Sequence, residues 1–343
     1  MAELVQSGSG LFFDGRWVVR DDTIPVYNKY SGEIIGQVVR ATRDDVDCAV
    51  SAAVRAFREH PLSPYQRYQI LRRASELIRE RKQELAETIA MEAGKPLKEA
   101  LVEVDRCVQT IELSGEEAKR IHGEQVPVEA APGSENRLAF TLRVPIGVVC
   151  AISPFNFPLN LVAHKVGPAL AAGNTVVLKP ATATPLSAIK LVQILQEAGL
   201  PAGHLNLVVG SGSEVGEWLL DDPRIAAYTF TGSATVGERI KARSGLRRVL
   251  LELGNNSATI VCADADIKRA ADLCARRAFA NAGQICLSVQ RVYVERRVFE
   301  EFTDRFLQVT RSLKVGDPLD PDTDVGPMIS EGEAERAELW VRE

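Results

Sequence analysis

The sequence lacks a long hydrophobic run, an excess of basic residues and any paired cysteine motif. No apolar stretch approaches the about 20 consecutive residues that a membrane-spanning helix needs. Lysine and arginine number 41 against 46 aspartates and glutamates, which gives a net charge of −5, and the basic residues are spread along the chain. The sequence therefore carries no electrostatic footprint for nucleic acid and no basic anchor for a membrane surface.

The six cysteines lie far apart and form no C-x-x-C pair. They are Cys48, Cys107, Cys150, Cys262, Cys274 and Cys286. Their spacing suits neither a zinc site nor a disulfide framework, so we expect no metal and reduced thiols, as in the cytoplasm. Residues 1–10 also lack the charged region and apolar core of a signal peptide, which favours the same location.

The chain is long enough for two domains, since about 150 residues per domain is usual. Hydrophobic residues make up 45% of its 343 residues, as in globular proteins. Short apolar runs alternate with helix-length stretches at Val148–Ile152, Thr175–Leu178, Leu205–Val209, Ala226–Phe230, Val249–Leu251, Ala258–Val261 and Arg291–Val294. Continuous apolar strands between helices indicate an α/β fold with a parallel sheet covered on both faces.

Local signals organise the rest of the chain. Leu11–Val19 alternates around an Asp-Gly turn, which predicts an edge hairpin. Capping boxes at Thr42 and Ser63 predict two helix starts, and Gly94 predicts a helix end. Residues 137–143 alternate polar and apolar side chains, which predicts a strand with one face covered from outside its own domain.

A further capping box at Ser330 and Glu333 opens a helix that reaches Glu343 without a Gly or Asn stop. Two interpretations stay open. The segment is a frayed terminal helix, or the polypeptide lacks a C-terminal part.

Two glycine-bearing turns follow predicted strands. Gly212 and Gly216 lie where backbone amides can face a phosphate, but such turns are also common structural devices. The acidic residue of the dinucleotide fingerprint, about 20 positions further on, is missing. Ser233 in the second turn is either a simple N-cap or a ligand-facing residue.

Cys286 stands apart from the other cysteines because it lies in a Gly- and Gln-bearing turn just before a predicted strand. Backbone dipoles at such a turn lower a thiol pKa and favour a nucleophile, although packing is the alternative for any cysteine. Cys150, Cys262 and Cys274 have apolar or small neighbours and fit the packing role.

Ordered motifs then point to a family. They are Ser153–Pro158, Leu178–Pro180, Phe230–Ser233, Leu251–Gly254 and Gly283–Cys286. In this order and spacing they resemble the aldehyde dehydrogenase superfamily, whose members use NAD(P), and the resemblance covers essentially the whole chain. The amino-acid sequence of residues 137–143 and 155–165 resembles the lactaldehyde and non-phosphorylating glyceraldehyde-phosphate dehydrogenase branch of this family. This resemblance implies a small polar aldehyde as substrate.

The resemblance implies a role for each catalytic residue. Cys286 would attack the aldehyde carbon to form a thiohemiacetal. The Asn156 amide and a backbone N–H at Cys286 would hold the oxyanion, and collapse would expel hydride to NAD(P). Glu252 would activate the water that hydrolyses the thioester to the carboxylate.

The resemblance also implies a cofactor site. Lys179 would bind the adenine-ribose hydroxyls, and Thr182 stands where NAD-preferring members carry a glutamate, so NADP is admissible beside NAD. The cofactor-binding residues implied are Ser153, Pro154, Phe155, Lys179, Thr182, Gly212, Gly216, Phe230, Thr231, Gly232, Ser233, Leu253 and Gly254.

The implied architecture is a Rossmann-like NAD(P)-binding domain at 1–122 and 147–253, an oligomerisation arm at 123–146, and an incomplete α/β catalytic domain at 254–343. Family members are homo-oligomers and extend further, so we expect a C-terminal truncation that removes a second glutamate for the nicotinamide ribose, the rest of the catalytic sheet and a strand for the oligomer. The family's second glycine after Glu-Leu-Gly is Asn255 here; if this position needs a positive φ, asparagine tolerates it best.

Two alternatives remain open. A coenzyme-A-acylating dehydrogenase would share Cys286 and Asn156 but pass the thioester to coenzyme A. An inactive fragment would bind nucleotide only.

Overall fold

A computed structural model describes residues 10–343. The expectation about a signal peptide concerns residues that, apart from Gly10, lie outside this range. The helices are α1 (Arg43–Glu59), α2 (Pro64–Glu80), α3 (Lys82–Ala93), α4 (Leu97–Ala118), α5 (Asn160–Ala171), α6 (Leu186–Glu197), α7 (Glu217–Asp221), α8 (Ala234–Arg243), α9 (Ile267–Phe279), α10 (Phe299–Ser312) and α11 (Glu331–Arg342). The strands are β1 (Leu11–Phe13), β2 (Arg16–Val18), β3 (Thr23–Tyr27), β4 (Ile34–Val39), β5 (Gln125–Val126), β6 (Ala139–Phe140), β7 (Val148–Ile152), β8 (Thr175–Lys179), β9 (Leu205–Leu207), β10 (Ile225–Thr231), β11 (Arg248–Glu252), β12 (Ala258–Val261) and β13 (Arg291–Val294).

Seven strands form the main sheet in the order β11-β10-β7-β8-β9-β1-β2. The five strands from β7 to β11 pair in parallel, and the β1–β2 hairpin continues the sheet in antiparallel pairing. This confirms the predicted α/β class, the parallel sheet and the edge hairpin. Helices cover both faces of the central strands, and every residue of β8 is buried.

The predicted helix starts and stop are confirmed. Thr42 and Ser63 each form a complete capping box with the residue three positions on. Gly94 ends α3 in the left-handed region (φ 72°), and a side chain there would meet the carbonyl oxygen of Pro327 at 2.8 Å. Glycine is therefore required at Gly94 for both backbone conformation and a close contact.

The prediction that every apolar run is covered on both faces is wrong for β11, β12 and β13. Leu250, Ile260 and Tyr293 are 66%, 72% and 56% exposed. The physical reason is position, because β11 is the edge of the main sheet and β12–β13 is a separate parallel pair. A small hydrophobic cluster with α9 and α10 covers only one face of that pair.

The strand predicted at 137–143 is shorter than expected. Only Ala139 and Phe140 pair, with Val126 and Gln125, because β5 offers a ladder of two residues. The apolar side chains of this segment remain exposed, with Phe140 at 65%. A cover from outside the domain therefore stays a prediction.

Three further observations concern residues 10–343. All six cysteines are unpaired. Within this range no group of histidine, cysteine and carboxylate side chains has the arrangement of a metal site. None of the helices described is both long and apolar enough to cross a membrane.

Candidate active site

The predicted motifs meet at the carboxyl edge of the main sheet. In the parallel register Ile152 lies opposite Lys179 on one side and Phe230 on the other, and Thr231 lies opposite Glu252. The loops after β7, β8, β10 and β11 therefore begin at one edge, where open α/β sheets bind their ligands.

Asn156 lies in the loop between β7 and α5 and contacts the segment that carries Cys286. Its Nδ2 donates a hydrogen bond to the backbone carbonyl of Gln284 at 2.8 Å. Its Oδ1 is buried and without a hydrogen-bond partner among residues 10–343. The predicted amide donor is thus hydrogen-bonded to a residue 128 positions away in sequence and two positions before the predicted nucleophile.

Cys286 is partly exposed, whereas Cys107 and Cys150 are fully buried. Burial raises the pKa of the Cys107 thiol, and it raises the pKa of Cys150 to about 12. Those two thiols are inert packing residues, as the sequence predicts for Cys150. Cys286 is partly exposed and lies two residues after Gln284, whose carbonyl binds Asn156.

The segment before Cys286 has an unusual backbone. Asn281, Ala282 and Gly283 have consecutive positive φ values of 47°, 55° and 76°. A left-handed conformation costs an ordinary residue about 1–2 kcal/mol, so surrounding contacts must hold this turn. The Gln284 side chain supplies two of them, donating to the Asn281 carbonyl at 3.1 Å and accepting from the Ile329 N–H at 3.0 Å.

Asn255 does not adopt a positive φ, so the condition placed on this position is not met. Its side chain instead donates a hydrogen bond from Nδ2 to the backbone carbonyl of Cys286 and accepts one from the Ser257 N–H at 2.8 Å. Asparagine here joins the loop after β11 directly to the segment that carries Cys286, a contact that the sequence does not reveal. Glu252, at the end of β11, is exposed at the same edge.

The residues implied for the cofactor lie at the ends of five strands, β7 to β11, and in the loops that follow them. Ser153 donates its N–H to the Lys179 carbonyl at 3.2 Å, and Thr182 donates its hydroxyl to the Gly210 carbonyl at 2.7 Å. Ser233 is the N-cap of α8, accepting from the Val236 N–H at 3.4 Å, which confirms the N-cap alternative. The ligand-facing roles stay predictions.

The remaining implied positions follow from these elements. Pro154 and Phe155 continue the loop after Ser153, and Leu253 and Gly254 follow β11. Phe230 and Thr231 end β10, Gly232 links that strand to α8, and Gly212–Gly216 forms a single wide helical turn.

Two observations at the carboxyl edge of the main sheet fit a dinucleotide. The Ser153 hydroxyl is buried and has no hydrogen-bond partner among residues 10–343. Lys179 is buried at the end of β8, and burial lowers the pKa of its ammonium to about 8. Hydroxyl or phosphate oxygens of a ligand could accept hydrogen bonds from this buried amine.

Sequence reasoning misses Lys165. It is buried on α5, donates from Nζ to the Thr231 hydroxyl at 2.7 Å, and burial lowers its pKa to about 8, while the charge of Glu252 opposes that shift. The available signal is a lysine on an otherwise apolar helix, since a buried lysine needs a partner or a function.

Known proteins of one family are similar to this chain over nearly its whole length. Residues 17–343 match the model of the aldehyde dehydrogenase family. The 3-sulfolactaldehyde dehydrogenase of Priestia aryabhattai is 52% identical over 334 residues, covering 97% of this chain and 70% of the relative. The lactaldehyde dehydrogenase of Methanococcus vannielii is 40% identical, covering 97% and 71%.

Solved structures are also similar to this chain. The NADP-dependent glyceraldehyde-3-phosphate dehydrogenase of Bacillus halodurans C-125, solved with NADP, superposes with a TM-score of 0.93 at 36% identity, covering 98% of this chain and 71% of that one. The chain belongs to the aldehyde dehydrogenase family, whose members are oxidoreductases that act on the aldehyde group. The predicted family and fold are confirmed.

Proposed function

We propose that this chain oxidises a small polar aldehyde to its carboxylate with NAD(P), using Cys286 as a covalent nucleophile. The observation that carries the proposal is the 2.8 Å hydrogen bond from the Asn156 amide to the carbonyl of Gln284, two residues before Cys286. It joins a side-chain N–H donor to the segment that carries a partly exposed thiol, and such a donor and thiol are what a cysteine acyl-transfer site requires.

In the proposed reaction the Cys286 thiolate attacks the aldehyde carbon and gives a thiohemiacetal. The developing oxyanion accepts hydrogen bonds from the Asn156 amide and the Cys286 backbone N–H. For this, the Asn156 N–H exchanges its present acceptor, the Gln284 carbonyl, for the substrate oxygen. A nicotinamide held beside this carbon would supply the hydride acceptor for the oxidation, and Cys286 would then carry the acyl group as a thioester.

Glu252 then removes a proton from water, which attacks the thioester and releases the carboxylate. Its position at the end of β11 supports this role, because Asn255 of the following loop is hydrogen-bonded to Cys286. An exposed carboxylate is also open to the water it must activate.

Lys179, Ser153 and Lys165 are the side chains proposed to hold the cofactor. All three are buried at the carboxyl edge, and each carries a donor group that dinucleotide oxygens can satisfy. Thr182 carries no negative charge to repel a 2′-phosphate, which supports NADP as well as NAD.

The substrate class rests on similarity. The 3-sulfolactaldehyde and lactaldehyde dehydrogenases both name short aldehydes with polar substituents, and both align over nearly the whole chain. We therefore propose an aldehyde of this size and polarity.

The domain plan is part of the proposal. We assign 1–122 and 147–253 to cofactor binding, 254–343 to the first part of a catalytic domain, and 123–146 to an arm that contacts another subunit. The exposed Leu138, Phe140 and Leu142 support the arm, and six unpaired cysteines support a reducing, cytoplasmic setting.

A rapid-mixing experiment tests the function. The protein is mixed with lactaldehyde or 3-sulfolactaldehyde and either NAD+ or NADP+, and the absorbance of the reduced nicotinamide is followed. We expect a burst of about one equivalent of reduced nicotinamide per active site. In Cys286→Ala the rate of its formation is expected to fall by at least about 10³-fold. Cys262→Ala, an exposed thiol after β12, is the matched control and keeps the burst.

A wild-type chain without burst or turnover would refute the proposal and favour the nucleotide-binding fragment. A burst whose thioester is released only on addition of coenzyme A, as acyl-coenzyme A, would replace hydrolysis by the acylating alternative.

A further inference from the structure

A buried ion pair lies directly behind the Asn156 loop. Glu103 of α4 is 1% exposed, and one of its carboxylate oxygens accepts the backbone N–H groups of Leu159 and Asn160 at 3.0 and 3.1 Å. Its other oxygen accepts the ammonium of Lys95, which is also 1% exposed. Glu103 thereby caps the N-terminus of α5 just after the loop that carries Asn156.

Lys95 contacts the same loop from a second direction. Its Nζ lies 3.6 Å from the centroid of the Phe157 ring, and Phe157 follows Asn156 in sequence. A cation over an aromatic face is attracted to it, most strongly where water is excluded. The ion pair therefore holds the chain on both sides of Pro158.

The same helix also reaches the nucleophile segment. Glu99, one turn before Glu103 on α4 and partly buried, faces the backbone of Asn281, the first residue of the left-handed turn: burial raises the pKa of the Glu99 carboxyl, and the Asn281 backbone opposes that shift. The corner between α3 and α4 adds a backbone contact, because Gly326 approaches the Gly94 carbonyl too closely for any side chain. Three residues later, Ile329 donates its N–H to Gln284.

Stability alone does not account for this arrangement. A buried ion pair is often replaced by apolar side chains of similar volume without loss, because removing two charges from water offsets their attraction. An ion pair does, however, fix the geometry of the groups it binds. Here the groups that the ion pair binds are the Phe157 ring and the backbone N–H groups of Leu159 and Asn160, all directly after Asn156.

We infer that Lys95 and Glu103, with Glu99 one turn away, are positioning residues that hold Asn156 opposite Cys286. The inference rests on the proposed function, and it assigns to the buried face of α4 the geometry of the oxyanion site. None of the three side chains touches the proposed reacting atoms; each acts through residues near Asn156 or Cys286.

Glu103→Gln is the direct test. The amide keeps the size of the side chain but loses the charge that pairs with Lys95. We expect the rate constant of the burst to fall about tenfold or more, since small displacements of catalytic groups are costly, while its amplitude per folded molecule stays unchanged. If these residues served only stability, fewer molecules would fold. The burst amplitude per total protein would then fall, while the burst rate constant of the folded molecules would stay unaltered.

Glu92→Gln is the matched control. Glu92 is equally buried and caps α6 in the same way, accepting the N–H groups of Leu186 and Ser187 at 2.8 Å, but α6 does not carry Asn156. We expect its burst rate constant at saturating cofactor to equal that of wild type. Glu99→Gln, which keeps the ion pair, is expected to slow the burst by a smaller factor, about threefold.

A measurement independent of activity completes the test. Hydrogen exchange followed by mass spectrometry is compared for residues 153–160 and 281–288. Glu103→Gln is expected to speed exchange in both segments, because Asn156 links them, whereas Glu92→Gln speeds exchange in neither. Faster exchange in residues 153–160 alone would overturn the inference.

The double variant Lys95→Met/Glu103→Leu removes both charges and keeps an apolar core. A wild-type burst rate constant in this variant would also overturn the inference, because packing would then suffice. Coupled exchange in a wild-type chain that shows no burst would leave the positioning contact standing and refute the proposed function instead.

Discussion

The two parts of the chain on either side of Gly254 are built differently. Residues 11–240 share one large hydrophobic cluster around a seven-stranded sheet. The part beyond has a cluster of five buried residues beside a two-stranded sheet. The proposed cofactor residues lie almost wholly on the first part, whereas Cys286 lies on the second.

The difference indicates how the segment of the proposed nucleophile, Cys286, is held. The smaller part docks on the corner between α3 and α4, where the Leu97 N–H donates to the Pro318 carbonyl at 2.8 Å and Lys98 pairs with Asp324 at 2.5 Å. Its own cluster is too small to fix a strained turn. The larger part therefore supplies the rigidity, and the smaller part supplies the thiol.

The largest expected effect sharpens this comparison. Phe302 is buried in the small cluster, and Phe302→Ala is expected to destabilise residues 254–343 by about 3–5 kcal/mol. Exchange of β12, β13, α9 and α10 should accelerate while the main sheet keeps its protection. Binding of NADP+ by calorimetry should survive. Equal acceleration in both parts would show that they unfold as one unit and would break the comparison.

The next effect belongs to the larger part and depends on pH. Burial raises the pKa of Glu92 from 4.5 to about 7, against the hydrogen bonds from Leu186 and Ser187 that lower it. The folded carboxyl keeps its proton between these two pH values while the unfolded one loses it. The free energy of unfolding should therefore fall by up to about 3 kcal/mol as pH rises from about 4.5 to about 7.

Glu92→Gln does not titrate and should lack this fall. Urea unfolding of both proteins at a series of pH values measures it. A parallel pH dependence in the two proteins would rule out the shift.

A smaller effect concerns the cofactor edge. Lys179→Met is expected to weaken cofactor binding about tenfold, through loss of a charge-assisted hydrogen bond. Since burial lowers the pKa of Lys179 to about 8, wild-type affinity should decline as pH rises through that value, and the variant should show a weaker decline. Affinity that is insensitive to both changes would remove Lys179 from the site.

The smallest effect tests the exposed face of β12–β13. Ile260 is 72% exposed, so Ile260→Ser should change the free energy of unfolding by no more than about 0.5 kcal/mol. A loss of more than about 1.5 kcal/mol in denaturant titrations would show that this face is covered in solution.

Much of the fold is readable from the sequence because its signals are local. The capping boxes at Thr42 and Ser63, the stop at Gly94 and the apolar runs of the sheet each depend on residues a few positions apart. The exposed faces of β11 to β13 are not readable, because exposure depends on which strand ends the sheet.

The same distinction applies to the site. Asn156 and Glu252 are predicted from sequence through family resemblance alone, whereas the Gly- and Gln-bearing turn already marks Cys286 as a candidate. The burial of Lys165, the ion pair of Lys95 with Glu103 and the left-handed turn depend on contacts between distant segments. No local pattern carries that information.

One measurement tests the central claim most directly. Glu252→Gln is incubated with aldehyde and NADP+ or NAD+, digested, and analysed by mass spectrometry. Without the Glu252 carboxylate, hydrolysis of the thioester is blocked in the proposed reaction. We therefore expect the acyl group to accumulate on the peptide that contains Cys286, and to be absent from the double variant Cys286→Ala/Glu252→Gln. An acyl group on another cysteine, or carboxylate production with Cys286 unmodified throughout, would contradict the account.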